Sequence, residues 1–320
     1  MRTMLSFRSP TIRLLSTAFA GQVLLAGAPA SAAAADRPVQ ITFAGLERTA
    51  LVHLPAPLPA GAMPLVLAFH GGGGRGQGMA RLSGLDLLAD RRGFMVLYPD
   101  GVDRHWNDGR ATIKRKIDDV GFVAALLDTM EQRYPVDAGR IYATGISNGG
   151  IFAERLACDL AGRIAAVAPV SGTLAADLAP SCTPARPVSV LQIAGTADPI
   201  MPFGGGNVAD FGGIGEGGAV LSAEQTAAFW AARDGCAPAA PPAALPPLAA
   251  PDGTSVVATR WDTCAGGSRV ELLALQGGGH TWPGGSQYAP RFVIGPVSHQ
   301  LDATAIIDFF LAPPPHLPRR

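Results

Sequence analysis

Charge is what this 320-residue sequence has least of: only 16% of its residues are Asp, Glu, Lys or Arg, and 25 bases balance 25 acids. With no excess of either sign, and with bases that are almost all Arg and scattered rather than striped, the electrostatic footprint of a nucleic-acid-binding protein is missing. The one local cluster, Arg110, Lys114, Arg115 and Lys116, reads as a solvated loop ahead of a helix. Long apolar runs are missing too. The stretch from Leu14 to about Ala28 is broken by Ser16, Thr17, Gly21 and Gln22 and falls short of the roughly 20 apolar residues that a membrane span needs. Arg2, Arg8 and Arg13 accompany it, no acid precedes Asp36, and Ala30-Ser31-Ala32 follows, which together read as a secretory signal peptide over residues 1–32. Its removal would leave 22 bases against 25 acids and a single domain over 33–320.

Cysteine is nearly as scarce. The four present, Cys158, Cys182, Cys236 and Cys264, form no C-x-x-C pair, so their spacing argues against a zinc site and no metal is expected. In an exported chain they read as two disulfides. Of three possible connectivities, sequential pairing (Cys158 with Cys182, Cys236 with Cys264) closes the shortest loops and is the one expected.

What is abundant is apolar: 48% of the residues are hydrophobic, enough for one substantial core and too much for a disordered chain. After the leader, short apolar runs rich in β-branched residues alternate with helical patterns. That alternation predicts an α/β fold with a mainly parallel sheet covered on both faces. Eight strands are expected, at 50–54, 64–69, 94–98, 140–144, 164–170, 188–193, 256–261 and 270–275. Helices are expected after Asp118 and Asp119, from Gly149 to about Leu160, from Ala223 to Arg233 and from Asp302 to Leu311. The glycine-rich segment 203–218 and the proline-rich segment 237–252 read as long surface loops.

The chemistry centres on Gly145-Ile146-Ser147-Asn148-Gly149, a G-x-S-x-G pattern between an expected strand and an expected helix. A serine held at such a turn needs small neighbours, a base to take its proton and a carboxylate to orient that base, in the chain order Ser, acid, His. Asp198, in Gly195-Thr196-Ala197-Asp198-Pro199, follows the strand at 188–193 and is the candidate acid; Asp210 and Glu216 are rivals placed further from a strand end. His280, in Gly277-Gly278-Gly279-His280-Thr281-Trp282-Pro283, follows the strand at 270–275 and is preferred over His299 as the base. For the oxyanion hole, Asn148 N–H and one donor from His70-Gly71-Gly72-Gly73-Gly74, taken as Gly72, are expected. Trp106 and Trp282 are candidates for lining the acyl pocket or for core. A competing dinucleotide-binding reading uses Gly71, Gly73 and Gly76 as G-x-G-x-x-G with Asp100 as the ribose acid. The glycine run makes that match cheap, and no cofactor is expected.

These motifs, together with Tyr98-Pro99-Asp100-Gly101, Trp106-Asn107 and Asp118-Asp119-Val120-Gly121-Phe122, resemble the secreted esterases grouped with poly(3-hydroxybutyrate) depolymerases and feruloyl esterases, over nearly all of the chain after the leader. The resemblance implies an α/β-hydrolase fold and a Ser147, Asp198, His280 triad. Dedicated polymer-degrading members commonly carry an added substrate-binding domain, and none follows the last expected helix. Soluble hydroxyalkanoate oligomers, or feruloyl and acetyl-type esters, are therefore the expected substrates. A catalytically silent binding protein on the same scaffold and a serine peptidase are the alternatives, and oligomeric state stays open.

Overall fold

In the computed structural model, which describes residues 35–210 and 216–312, the chain runs in the order β1 (Ala35–Phe43), β2 (Leu46–Leu54), β3 (Met63–Phe69), α1 (Gly76–Ser83), α2 (Leu85–Arg92), β4 (Met95–Pro99), α3 (Asp119–Arg133), β5 (Val136–Ile146), α4 (Asn148–Asp159) and β6 (Ala166–Val170). There follow β7 (Ser189–Gly195), β8 (Gly206–Asn207), β9 (Ala219–Val220), α5 (Ala223–Arg233), β10 (Ala243–Ala244), β11 (Ser255–Trp261), β12 (Val270–Gln276), α6 (Arg291–Ile294) and α7 (Ala303–Leu311). The expected leader, residues 1–32, lies outside the described residues.

The main sheet has ten strands, not eight, in the order β1-β2-β4-β3-β5-β6-β7-β12-β11-β10. Its six central strands, β4 to β12 in that order, are mutually parallel, and the flanking strands pair antiparallel. All eight expected strands are present. The two additions, β1 and β10, are edge strands. β1 carries Pro38 and keeps mostly solvent-facing side chains, while β10 is a two-residue pairing inside the proline-rich segment read as loop. A short β8–β9 hairpin likewise interrupts the glycine-rich segment.

The alternation of β3 shows how the layers form. Leu65, Leu67 and Phe69 enter one core cluster, beneath α3, α4 and α5, while Val66 and Ala68 enter the other, beneath α1, α2 and α7. All seven β3 residues are buried, as a central parallel strand requires. Local signals start the helices: Asp118 accepts the Gly121 N–H at the head of α3, Ser222 and Gln225 form a reciprocal capping box on α5, and Asp302 accepts the Thr304 N–H at α7. Both disulfides have the sequential pairing, Cys158–Cys182 and Cys236–Cys264. Among the described residues no helix is long and apolar enough to cross a membrane.

Candidate active site

Between the end of β5 and the start of α4 stands a single residue, Ser147, at φ 59° and ψ −125°. A side chain at positive φ is strained, and such strain persists only where the surroundings impose it. Here they do: the Ser147 N–H donates to Val170 O at 3.0 Å, and its carbonyl accepts from Ile151 N–H at 2.9 Å. The glycines on either side are required by contact rather than by φ. A Cβ on Gly145 would lie 2.5 Å from Gly149 O, and one on Gly149 would lie 2.5 Å from His70 O. Ser147 occupies the helix N-cap, yet its hydroxyl makes no capping bond. It opens instead onto a cavity of about 700 Å³ that Gly72, Asn148 and His280 also line.

Asp198 and His280 lie in the loops that follow two adjacent strands. β7 and β12 pair in parallel, Ala194 beside Ala274, so the loops leaving their C-terminal ends start side by side. Asp198 Oδ2 lies 2.8 Å from His280 Nδ1, with the side chains 1% and 4% exposed. The other oxygen, Oδ1, accepts the N–H groups of Ile200 and Met201, each at 2.8 Å. The His280 backbone is pinned as well: its N–H donates to Ile294 O at 2.6 Å, and its carbonyl accepts from Tyr288 Oη–H at 2.7 Å. A Cβ on Gly279 would lie 2.2 Å from Ile294 O, which explains why the residue before the histidine is glycine. The rival base, His299, is exposed, with its backbone N–H bound to Asp252. Of the rival acids, Glu216 lines the cavity but is paired with Arg115.

Neither the Gly72 nor the Asn148 N–H meets an acceptor among the described residues. The segments carrying these two donors are tied together. Asn148 Oδ1 accepts from Trp106 N–H at 2.8 Å, while its Nδ2 donates to Trp106 O at 3.0 Å and to Asp108 Oδ2 at 2.6 Å. Trp106 Nε1–H in turn donates to His70 O at 3.0 Å. His70, next in line, bonds Gly71 O through Nδ1 and accepts Gly101 N–H at Nε2. Burial pushes its pKa down, in keeping with the neutral ring that these two bonds require.

Two sequence expectations need correction. Trp106 and Trp282 are wholly buried and line none of the cavity; Trp106 stacks on Phe152 and meets Phe69 edge-on, as part of the core. Arg110 is not solvated: it is buried in a forked pair with Asp108, and only Lys114 and Lys116 of that cluster are exposed. Asp100, the acid of the dinucleotide reading, spends one carboxylate oxygen on Gly76 N–H and the other on the Thr49 hydroxyl. What the sequence reading missed is the cavity wall, notably Leu82, Ile151, Ile200, Val208 and Tyr288. Most of these sit on irregular loops, where no periodicity marks them.

The Esterase PHB depolymerase family matches residues 49–204. A putative esterase, NocK, from Nocardia uniformis subsp. tsuyamanensis is 37% identical over 287 residues, which cover 85% of this chain and 81% of NocK. Feruloyl esterase B from Piromyces equi is 29% identical over 227 residues, covering 68% of this chain and 40% of that protein. Among solved structures, an acetyl xylan esterase from Aspergillus awamori superposes with a TM-score of 0.57 at 17% identity, covering 86% of this chain and 98% of its own, and so shares the fold. The chain therefore belongs to the esterase family of the poly(3-hydroxybutyrate) depolymerases and feruloyl esterases, and it is a carboxylic ester hydrolase of the α/β-hydrolase fold.

Proposed function

We propose that this esterase is exported, loses residues 1–32 and acts as a single domain that hydrolyses esters through an acyl-enzyme on Ser147. The observation that carries the reading is the sealed Asp198–His280 pair, opening onto the same cavity as a strained, uncapped Ser147. With Nδ1–H given to Asp198, His280 Nε2 is the nitrogen that takes a proton. It removes the Ser147 hydroxyl proton as Oγ bonds to the ester carbonyl carbon. The resulting oxyanion accepts from the Gly72 and Asn148 N–H groups. His280 then passes the proton to the departing alkoxide as the carbon–oxygen ester bond breaks. Water repeats the sequence on the seryl ester, releasing the acid and restoring Ser147.

The substrates are hydroxyalkanoate oligomers or polyester, or feruloyl and acetyl-type esters. The test is Ser147→Ala, assayed on p-nitrophenyl butyrate beside a panel of hydroxybutyrate oligomers, methyl ferulate and acetylated xylose. Turnover should fall by about 10⁴- to 10⁶-fold, and a fluorophosphonate should add one phosphonyl mass to the wild type and none to the variant. A folded variant that keeps the wild-type rate overturns the proposal.

A further inference from the structure

One wall of the cavity carries two arginines whose side chains form no ion pair among the described residues. Along α1 and its N-cap, Arg75, Gly78, Met79 and Leu82 follow the spacing of one helix face, and all four line the cavity, with Arg81 beside them. Arg75 and Arg81 are exposed, and neither side chain makes an ion pair or hydrogen bond among the described residues. Gly78, between them, is open: a Cβ there would meet nothing within 4 Å. The remaining charged groups of the lining are already engaged. Arg110 forks onto Asp108 and bonds Gly217 O, and Glu216 pairs with Arg115. Asp198, sealed against His280, contributes no open acid. On the α1 side the cavity therefore presents two guanidiniums open to an anion, while the nearby Asp100 carboxylate is held by Gly76 N–H and the Thr49 hydroxyl, although the whole chain is not basic.

We infer that α1 forms an anion-recognising subsite and that the preferred substrates are esters bearing a free carboxylate, held by Arg75 and Arg81 while Leu82 packs on the apolar part of the same molecule. This rests on the Ser147 reading above. Arg75 stands three residues after Gly72, so their Cα atoms lie at most about 11 Å apart. That bound brings Arg75 within reach of the far end of a short diacid monoester whose carbonyl sits at the oxyanion donors, and Arg81 lines the same cavity further along α1. Arg suits the role because its planar guanidinium meets a carboxylate with two parallel hydrogen bonds.

The experiment compares two matched esters on the full-length enzyme: mono-p-nitrophenyl glutarate, and its methyl p-nitrophenyl counterpart, which lacks the charge. Wild-type kcat/KM should favour the anionic ester by about 5- to 20-fold at low salt, and 0.5 M NaCl should erode that preference as screening shortens. In Arg75→Gln/Arg81→Gln the ratio should collapse toward one, and Arg81→Glu should invert it. A sulfonate-ended analogue, run beside the carboxylate, reports whether the forked carboxylate geometry or charge alone is read. Equal wild-type kcat/KM for the two esters, or a ratio unmoved by the arginine substitutions, overturns the subsite while leaving Ser147 catalysis standing. If Ser147→Ala turns over both esters at the wild-type rate, the catalytic reading falls and the subsite falls with it.

Discussion

Trp106→Phe tests the tie between the two segments that carry the proposed oxyanion donors, Gly72 and Asn148. The change removes one hydrogen bond, from the indole N–H to His70 O, and keeps an aromatic ring against Phe152 and Phe69. His70 is 2% exposed, so water cannot readily replace the lost donor. An orphaned buried carbonyl costs about 1–3 kcal/mol, and at roughly 2 °C per kcal/mol for a domain of this size the Tm should fall by several degrees. The kinetic consequence follows from position. His70 lies two residues before Gly72, and loss of an entire oxyanion donor typically costs about 10²- to 10³-fold in kcat. A donor loosened rather than removed should cost about 10-fold. The loss should appear in kcat, with KM for p-nitrophenyl butyrate nearly constant, because the donors aim at the oxyanion and not at the ground-state carbonyl. Asn148→Ala, which retains the backbone N–H while deleting the bonds to Trp106 and Asp108, should give the same split. Steady-state kinetics beside thermal melts decide the matter. If Trp106→Phe melts several degrees lower yet keeps kcat within two-fold, the Asn148–Trp106–His70 chain holds the core together and does not aim the donors.

Glu154 is fully buried, and desolvation raises its pKa to about 8 against only one hydrogen bond, from Trp230 Nε1–H. The folded state therefore holds a proton that the unfolded chain releases near pH 4.5, and stability should fall by up to ~1.4 kcal/mol per pH unit as pH rises through that window. Glu154→Gln should flatten this slope in urea titrations run from pH 5 to 8; an unchanged slope refutes the assignment. His53 feels burial pushing its pKa down, but the hydrogen bonds it donates to Asp36 and Asp90 and the charges of Asp86 and Asp90 leave it raised. Its contribution to stability should be present below the unfolded His pKa and fade as pH rises through the folded one, and an NMR titration of its ring in Asp90→Asn should move downward. Removing the Cys158–Cys182 bridge by double substitution to Ala should cost about 2–4 kcal/mol, read as a lower denaturation midpoint.

The central strands were legible because a parallel strand buried on both faces must be apolar at every position, and β3 is. The edges were not. In β1, Val39, Ile41 and Phe43 alternate with polar residues and pack on the core, but the run is short, only Val39 of the residues whose burial is described is fully buried, and Pro38 beside it reads as a strand breaker. Ser147 was legible for a different reason, since the clashes that Gly145 and Gly149 avoid come from residues close by in sequence or on the adjoining strand. The partners of Trp106 lie 36 and 42 positions away, and Arg110 finds Gly217 O across 107. Pairings at that range decide whether a tryptophan is wall or core and whether an arginine is free or spent, and they exist only after folding.

The same point governs the charge of the cavity. A whole-chain count of 25 bases against 25 acids argues against polyanion partners, since such partners sample the entire surface. A small substrate samples only what lies within a screening length of about 8 Å at physiological salt. Within that radius the sum depends on which charges are already neutralised, and here Arg110 and Glu216 are engaged while Arg75 and Arg81 are not. A protein with no excess of either charge can thus present unpaired guanidiniums to the substrate in its cavity. That is why a carboxylate-ended ester and its methyl ester, nearly identical in shape, should be told apart by this enzyme.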